Sequence, residues 1–243
     1  MKIYGLLGKN IGHSFSPAYF QQKWQTIGRN DCVYNLYPVA DESQIPTFLQ
    51  QKIDGFNVTI PYKKAIIPYL DELSAAARAV GAVNTVVIRN NRKIGYNTDV
   101  LGFEKSLLNC GFLPAKGLIL GTGGAAAAVA YVLDKLGINF RYVSRQKADF
   151  CLNYGDINAD ILAEYPLIIN TSPLGMWPNV ETAPDLPYHL LSSAHLLFDL
   201  VYNPVDTLFL QKGQAQNCRT KGGLEMLHEQ AEAAWAIWQG EKI

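Results

Sequence analysis

Seven residues in the first hundred have types and spacing that could do chemistry together. They are Ser14 and Ser16 in "GHSFSP", Asn57, Thr59 and Lys63 in "FNVTIPYKK", Asn84 in "GAVNT" and Asp99 in "GYNTD". Each falls where a strand-like run passes into a loop or helix, and in parallel sheets the carboxyl ends of strands form the ligand crevice. Together they offer hydroxyls, amides, one ammonium and one carboxylate. That set suits a small, heavily oxygenated molecule better than an apolar one. Each residue also has an ordinary structural use. Ser16 ahead of Pro17 is a good helix N-cap. Asn57 and Thr59 can satisfy strand-end backbone groups, Lys63 with Lys64 can be a solvated helix face, and Asn84 and Asp99 suit turns and caps. Ser14 and Ser16 are two apart, so in an extended loop both hydroxyls face one side and Phe15 the other. Ser14 has no capping use there. His13 could orient the loop through a backbone hydrogen bond and is given no catalytic role.

A second group is the glycine turn of "LILGTGGAAAA". Gly121, Gly123 and Gly124 follow an apolar strand and open a helix, the context that a dinucleotide-binding fingerprint requires. Glycine allows a tight turn and close approach to a pyrophosphate, and amides at the helix N-terminus bind the phosphates. The sixth position is Ala126, which the fingerprint allows. An NAD site usually carries an acid about 20 residues further on, holding the ribose 2′-hydroxyl. Here the next strand ends in "YVSRQK", with Ser144, Arg145 and Lys147 and no acid. Solvated surface cations would read the same way. Their position at the strand end favours a 2′-phosphate, which arginine can pair with, and so NADP.

The elements that must position these residues alternate along the chain. "KIYGLLG", "CVYNLYPV" and "IDGFNVTI" read as strands. "PAYFQQKWQTIG", with Pro17 at its first position, and "ESQIPTFLQQK" read as helices. "PYKKAIIPYLDELSAAARAVG" is expected to be helical and broken near Pro68. "AVNTVVIRNNRKIGYNTD" reads as a hairpin turning at "NNRK", and "VLGFEKSLLNCG" as a helix. The strand, glycine turn and alanine-rich helix of "KGLILGTGGAAAAVAYVLDKLG" come next. Strands in "NFRYVSR", "YPLIINTSP" and "HLLFDLVYNP" follow, then helices in "DTLFLQKGQAQN" and "GLEMLHEQAEAAWAIWQG". This alternation predicts an α/β fold with helical crossovers. Two domains are expected: an α/β substrate domain over 1–99, a Rossmann-type domain over 100–220, and a last helix over 221–243 returning to the first. Trp235 and Trp238 in that helix are expected to pack it down.

The chain has 243 residues, 49% of them hydrophobic and 17% charged, so it can bury a sizeable core rather than stay disordered. Its 21 Lys and Arg balance 21 Asp and Glu. With no basic stripe, bulk-electrostatic nucleic-acid binding is disfavoured. There is no secretory h-region and no apolar run of about 20 residues to span a membrane. Cys32, Cys110, Cys151 and Cys218 are far apart, without a C-x-x-C pair. Metal clusters and a disulfide framework are poor readings, and four reduced thiols in a cytoplasmic protein is the plain one.

Taken in order, "GHSFSP", "NVTIPYK", "GAVNT", "GYNTDVLGF", "GTGGAA", "NTSPLGM", "DLVYNP" and "GLEML..QA" resemble the motifs of the shikimate dehydrogenase family over almost the whole length. The resemblance implies reversible NADPH-dependent reduction of 3-dehydroshikimate to shikimate, on the route to chorismate and the aromatic amino acids. It implies that Ser14, Ser16, Thr59 and Tyr202 help hold the substrate, the serines through its carboxylate. Asn84, Asp99 and Gln230 would bind ring hydroxyls, and Asn57 would line the same pocket. Lys63 would be catalytic, paired with Asp99: a cation at the ketone oxygen stabilises the developing alkoxide and can supply its proton. Gly121, Thr122, Gly123, Gly124, Ala125, Ser144, Arg145 and Lys147 would contact NADP(H). "NTSPLGM", Leu200 and Gly223 would lie on the nicotinamide side.

Two departures stand out. Ser144-Arg145-Gln146 stands where the family often has Asn-Arg-Thr, and Glu225 replaces a small residue. The partner implied is a small-molecule substrate, on a monomer or homodimer, with no membrane or nucleic acid. Three rivals remain. One is a quinate/shikimate dehydrogenase using NAD(P), against which the missing acid argues. Another is an NADP dehydrogenase of the methylenetetrahydrofolate type, disfavoured by the serine pair and the Lys63–Asp99 pair. The third is a non-catalytic sensor of a shikimate-like ligand, against which the presence of Lys63 and Asp99 speaks.

Overall fold

The computed structural model describes residues 1–145 and 150–241. The chain divides into two compact units, 1–98 with 231–243, and 99–230. The breaks fall after 98 and 230, where the sequence placed them after 99 and 220.

The first unit is built from β1 (Lys2–Gly8), α1 (Ser16–Thr26), β2 (Cys32–Pro38), the single turn α2 (Ile45–Phe48), β3 (Gly55–Val58), β4 (Glu72–Leu73), α3 (Ala75–Val80), β5 (Thr85–Arg89) and β6 (Arg92–Tyr96). Its sheet runs β2-β1-β3-β5-β6-β4. The first three strands are parallel, and β5 and β6 form an antiparallel hairpin beside them. Both faces are covered. Leu7, Ile45, Phe48, Phe56 and Val86 pack on one side. The other carries an aromatic cluster of Tyr4, Phe20, Trp24, Trp235 and Trp238, with Ala231 and Ala234. Trp238 also donates its indole N–H to the Val86 carbonyl at 3.0 Å.

The second unit contains α4 (Thr98–Leu108, less its first residue), β7 (Lys116–Leu120), α5 (Gly124–Lys135), β8 (Asn139–Ser144), β9 (Cys151–Asn153), α6 (Ala159–Glu164), β10 (Leu167–Asn170), β11 (Leu196–Asp199), α7 (Leu208–Gln214) and β12 (Arg219–Lys221). Helix α8 (Leu224–Gln239) starts here and ends in the first unit. The sheet order β12-β11-β10-β7-β8-β9 is wholly parallel. Counted from its own first strand this is 3-2-1-4-5-6, the doubly wound order whose crevice opens where β7 and β10 diverge. Its central strands β7, β10 and β11 are buried, largely apolar runs, as strands inside a parallel sheet are. Gly102 in α4 has a packing reason: a Cβ there would stand 2.6 Å from the Met226 carbonyl of α8.

Several local expectations are corrected. The stretch after Ile60 is a series of turns, with a 3-10 turn at Ile67–Tyr69 and β4 inside it and α-helix at Ala75–Val80, which Ser74 caps and Gly81 ends at φ +67°. Buried Tyr62 fixes those turns by donating to the Val39 carbonyl at 2.7 Å. The helix expected in "ESQIPTFLQQK" is one 3-10 turn and one α turn. The hairpin turns on Asn90 and Asn91 alone, both at positive φ, as a two-residue turn between strands requires. The short elements β9, β12 and α6 were not read from the sequence. Asn158 gave the signal for α6: its side chain accepts from the Ile161 N–H at 3.0 Å. Among the described residues no helix is long and apolar enough to cross a membrane.

Candidate functional site

In the first unit the strand register gathers the polar residues at one end of the sheet. Leu36, Leu6, Asn57, Thr85 and Tyr96 lie in one row across five strands. Ser14, Thr59, Lys63 and Asn84 lie beyond that row on the loops leaving or entering it, and Ser16 and Thr98 open the helices α1 and α4 there. Gly8 lets the Thr59 loop come close, since a Cβ would stand 2.5 Å from the Thr59 methyl. Thr59 N–H donates to the Leu7 carbonyl at 3.0 Å, and the Lys63 carbonyl accepts from Val83 N–H at 2.8 Å. Lys63 therefore sits on a turn pinned at its backbone, not on the helix face considered from sequence.

The serine loop also differs from its reading. Phe15 is helical (φ −63°, ψ −35°), so the loop is not extended there; Phe15 takes the N-cap position without a side-chain cap, and Ser16 is the first residue of α1. Ser14 takes the local role instead, accepting from the Ser16 N–H at 3.3 Å. Its oxygen accepts that N–H, and its O–H stays a rotatable donor.

Asn57 and Asn84 are buried, and Asn57 is committed at both ends of its amide. Asn57 Nδ2 donates to the Thr85 hydroxyl at 3.0 Å and the Asn84 carbonyl at 3.3 Å. Its Oδ1 accepts from the Tyr34 phenol at 2.8 Å. Asn84 Oδ1 accepts from Thr98 N–H at 2.7 Å, the first residue of α4. The next residue is Asp99, half-buried in the first turn of that helix and the first residue of the second unit.

In the second unit the parallel register aligns Asp199, Asn170, Leu120, Val143 and Leu152 in one row. The glycine turn, Ser144–Arg145 and the loops after β10 and β11 leave from that end. Gly121 has φ +116°, and a Cβ on it would stand 2.8 Å from the Thr171 hydroxyl. Among the described residues nothing lies within 4 Å of a Cβ at Gly123 or Gly124. Gly123 precedes α5 and offers no side-chain cap, so the first amides of the helix keep their outward donors. Thr122 and Ala125 flank this turn, while Ala126 is 1% exposed and packs the helix onto the sheet. This is a cradle that a phosphate can enter and a side chain would fill. The Arg145 carbonyl is held by Asn153 Nδ2 at 3.2 Å. Lys147 lies outside the described residues.

The loops after β10 and β11 hang on Asp199. Its Oδ1 accepts from Asn170 Nδ2 at 3.0 Å and Val201 N–H at 2.9 Å, and its Oδ2 from the Thr207 hydroxyl at 2.6 Å. Burial pushes its pKa up to about 6 against the pull of those donors. Asn170 in turn accepts from Ser172, which shapes the "NTSPLGM" turn. Tyr202 is exposed on the loop so fixed. Gly223 is buried where a Cβ would stand 2.3 Å from the Leu200 carbonyl, so backbone packing requires its glycine. Gln230 is half-buried on α8, donating to the Leu227 carbonyl at 2.9 Å. Glu225 is accommodated by the Lys221 ammonium and by Asn109 Nδ2 at 2.6 Å. Burial opposes its ionisation, but those partners hold its carboxyl below the usual range.

Sequence reasoning missed Tyr34, Asp199 and Thr207 as parts of these sites. Asp199 was legible as an acid ending an apolar strand. Among the described residues no group of three or more His, Cys, Asp or Glu could hold a metal ion.

The second unit, with its doubly wound parallel sheet and uncapped glycine turn, is of the dinucleotide-binding class. The first unit matches the family model of the shikimate dehydrogenase substrate binding domain over residues 6–86. A relative from Methanococcus maripaludis strain C7, "Shikimate dehydrogenase (NADP(+))", is 38% identical over 99% of this chain and 92% of its own. The crystal structure of shikimate 5-dehydrogenase from Thermus thermophilus, in complex with NADP(H) and shikimate, matches with a TM-score of 0.86 at 30% identity, covering 99% of this chain and 94% of that one. Quinate dehydrogenase from Corynebacterium glutamicum, in complex with NAD, matches with a TM-score of 0.85 at 27% identity, covering 98% and 94%. The chain belongs to the shikimate dehydrogenase family.

Proposed function

We propose that this chain is an NADP-dependent shikimate dehydrogenase, reducing the ketone of 3-dehydroshikimate to the alcohol of shikimate reversibly, on the route to chorismate and the aromatic amino acids. The observation that carries this is 38% identity, over 99% of the chain, to a protein of that name. Bound NADPH supplies a hydride to the ketone carbon. The Lys63 ammonium stabilises the oxygen that becomes negative and supplies its proton, with Asp99 as the carboxylate that steadies it. Ser14 and Ser16 take the substrate carboxylate, their hydroxyls being able to donate to it. Thr59 and Tyr202 join them. Asn84, Asp99 and Gln230 take ring hydroxyls. The carbonyl end of Asn84 holds Thr98.

The open space at Gly123 and Gly124 and the uncapped start of α5 suit the pyrophosphate. Ser144, Arg145 and Lys147 take the 2′-phosphate. Four free thiols suit the cytoplasm. The likeness to an NAD-bound quinate dehydrogenase sustains a second reading, quinate oxidation with NAD.

Absorbance at 340 nm with shikimate and NADP, then with quinate and NAD, separates the two readings. A higher kcat/KM for shikimate with NADP is expected, and activity only with quinate and NAD would replace the proposal. Lys63→Ala should lower kcat about a hundredfold or more while melting like the wild type. Near-wild-type turnover in that variant would remove Lys63 from the chemistry.

A further inference from the structure

Asn170, Asp199 and Thr207 are each 0% exposed, and none has a part in the chemistry above. Their bonds tie two loops of the second unit together. One Asp199 oxygen accepts from Val201 N–H at 2.9 Å and the other from the Thr207 hydroxyl at 2.6 Å. A single carboxylate thus closes both ends of the loop between β11 and α7. Asn170 Nδ2 donates to Asp199 at 3.0 Å and to the Leu174 carbonyl at 3.3 Å, while its Oδ1 accepts from Ser172 N–H at 3.1 Å. A backbone N–H on one side and a backbone carbonyl on the other fix which way that amide points. The two loops also meet directly, Trp177 N–H donating to the Asn203 carbonyl at 3.0 Å. Thr207 packs beside Gly175 of the first loop, where a Cβ would stand 3.5 Å from the threonine Cβ.

The sheet order says what this platform faces. Strand β8, which ends at Ser144, lies on one side of β7, and β10 and β11 lie on the other. In a doubly wound sheet the pyrophosphate sits at the glycine turn after the first strand, here β7. A dinucleotide whose adenosine half reaches the end of β8 must then lay its nicotinamide half over the ends of β10 and β11. The loop after β10 touches the glycine turn itself, since a Cβ on Gly121 would stand 2.8 Å from the Thr171 hydroxyl.

We propose that Thr207 is a positioning residue for hydride transfer: bonded to Asp199, it holds the loops after β10 and β11 as one platform that sets the nicotinamide ring. This rests on the reading of the second unit as the cofactor domain of a dehydrogenase. The pyrophosphate and the 2′-phosphate, held at the glycine turn and the end of β8, keep the cofactor bound. Loss of the Thr207 hydroxyl therefore loosens the support of the reacting ring and leaves that hold intact.

Thr207→Val keeps the branched shape and removes the donor, and Thr207→Ser keeps the donor. In Thr207→Val, kcat with shikimate and NADP should fall about tenfold or more, as misplaced reacting groups cause. The NADP Kd from titration calorimetry should stay within about twofold, because an interaction felt only in the transition state does not change binding. Shikimate carrying deuterium at the carbon that becomes the ketone should give an isotope effect on kcat at least as large as in the wild type, since the hydride step is what slows. Thr207→Ser should recover most of the loss. The calorimetric stoichiometry counts folded enzyme, so kcat is expressed per binding site. An unchanged kcat in Thr207→Val, an NADP Kd rising as much as kcat falls, a smaller isotope effect, or a serine variant as slow as the valine one would each overturn the proposal. Should Thr207→Val melt below the assay temperature, Thr207→Cys, which fills the site with a weak donor, is read by the same measurements. Wild-type protein without activity towards shikimate or quinate would instead remove the dehydrogenase reading itself.

Discussion

Asp199 carries three donors on two oxygens and is fully buried. It anchors Thr207 at the start of α7, Val201 in the loop before Tyr202, and Asn170 at the end of β10. Its raised pKa, about 6 against an ordinary 3.8, means that the folded protein holds a proton which the unfolded chain releases. The group's contribution to stability is therefore greatest below pH 4 and declines as pH rises to about 6, by about 3 kcal/mol in all. In Asp199→Asn the amide oxygen can keep Asn170 and Val201, while its NH2 donates to a Thr207 hydroxyl turned to accept. The expected outcome is a flatter stability profile between pH 4 and 7 than in the wild type, read by urea denaturation at each pH. Equal profiles would show that burial does not penalise the carboxylate. The sequence revealed this acid only as the end of an apolar strand, because its donors come from residues 2, 8 and 29 positions away. Ser14, Asn84 and Lys63, by contrast, stood out because each breaks an apolar pattern at a strand end. Tyr34 stayed hidden because a tyrosine alternating in a strand reads as ordinary packing.

Among the elements, the glycine turn separates two uses of glycine that the sequence shows as one motif. Gly121 is required by its backbone: φ is +116° and a Cβ would collide with Thr171. Gly123 and Gly124 are required by nothing among the described residues, none of which comes within 4 Å of a Cβ there. Gly121→Ala should therefore cost about 1–3 kcal/mol of stability and raise the NADP KM as well. Gly124→Ala should leave the melting temperature unchanged or raised while still raising the NADP KM, because its methyl enters the phosphate's space. Melting curves and NADP kinetics on the two variants check this, and a Gly124→Ala enzyme with normal NADP kinetics would move the pyrophosphate elsewhere. The elements legible in advance were those with long periodicity: α1, α4, α5, α8 and the apolar strands. Residues 61–74 were misread as α-helix because distant bonds, Tyr62 to Val39 and Val83 to Lys63, hold them as turns around a 3-10 turn and β4. Strands β9 and β12 have three residues each, too few for alternation to register.

For the whole molecule, helix α8 is the element whose removal would be felt twice. Its first half belongs to the second unit, with Glu225 tied to Asn109 at 2.6 Å and Glu229 to Lys105 at 2.6 Å. Its second half supplies Trp235 and Trp238 to the aromatic cluster of the first. A helix is cooperative along its length, so melting of either unit frays an element that the other needs. Ligand bound only to folded protein adds about 2.7 kcal/mol at a hundredfold excess over Kd. If α8 transmits that gain, shikimate alone and NADP alone should each shift one common unfolding transition upward in calorimetry. Ala231→Pro breaks the helix at the division, where Ala231 is 1% exposed. That variant should melt in two steps, with NADP shifting only one of them. Two separate transitions already present in the wild type, each answering a single ligand, would show that the units keep their stabilities apart despite the shared helix.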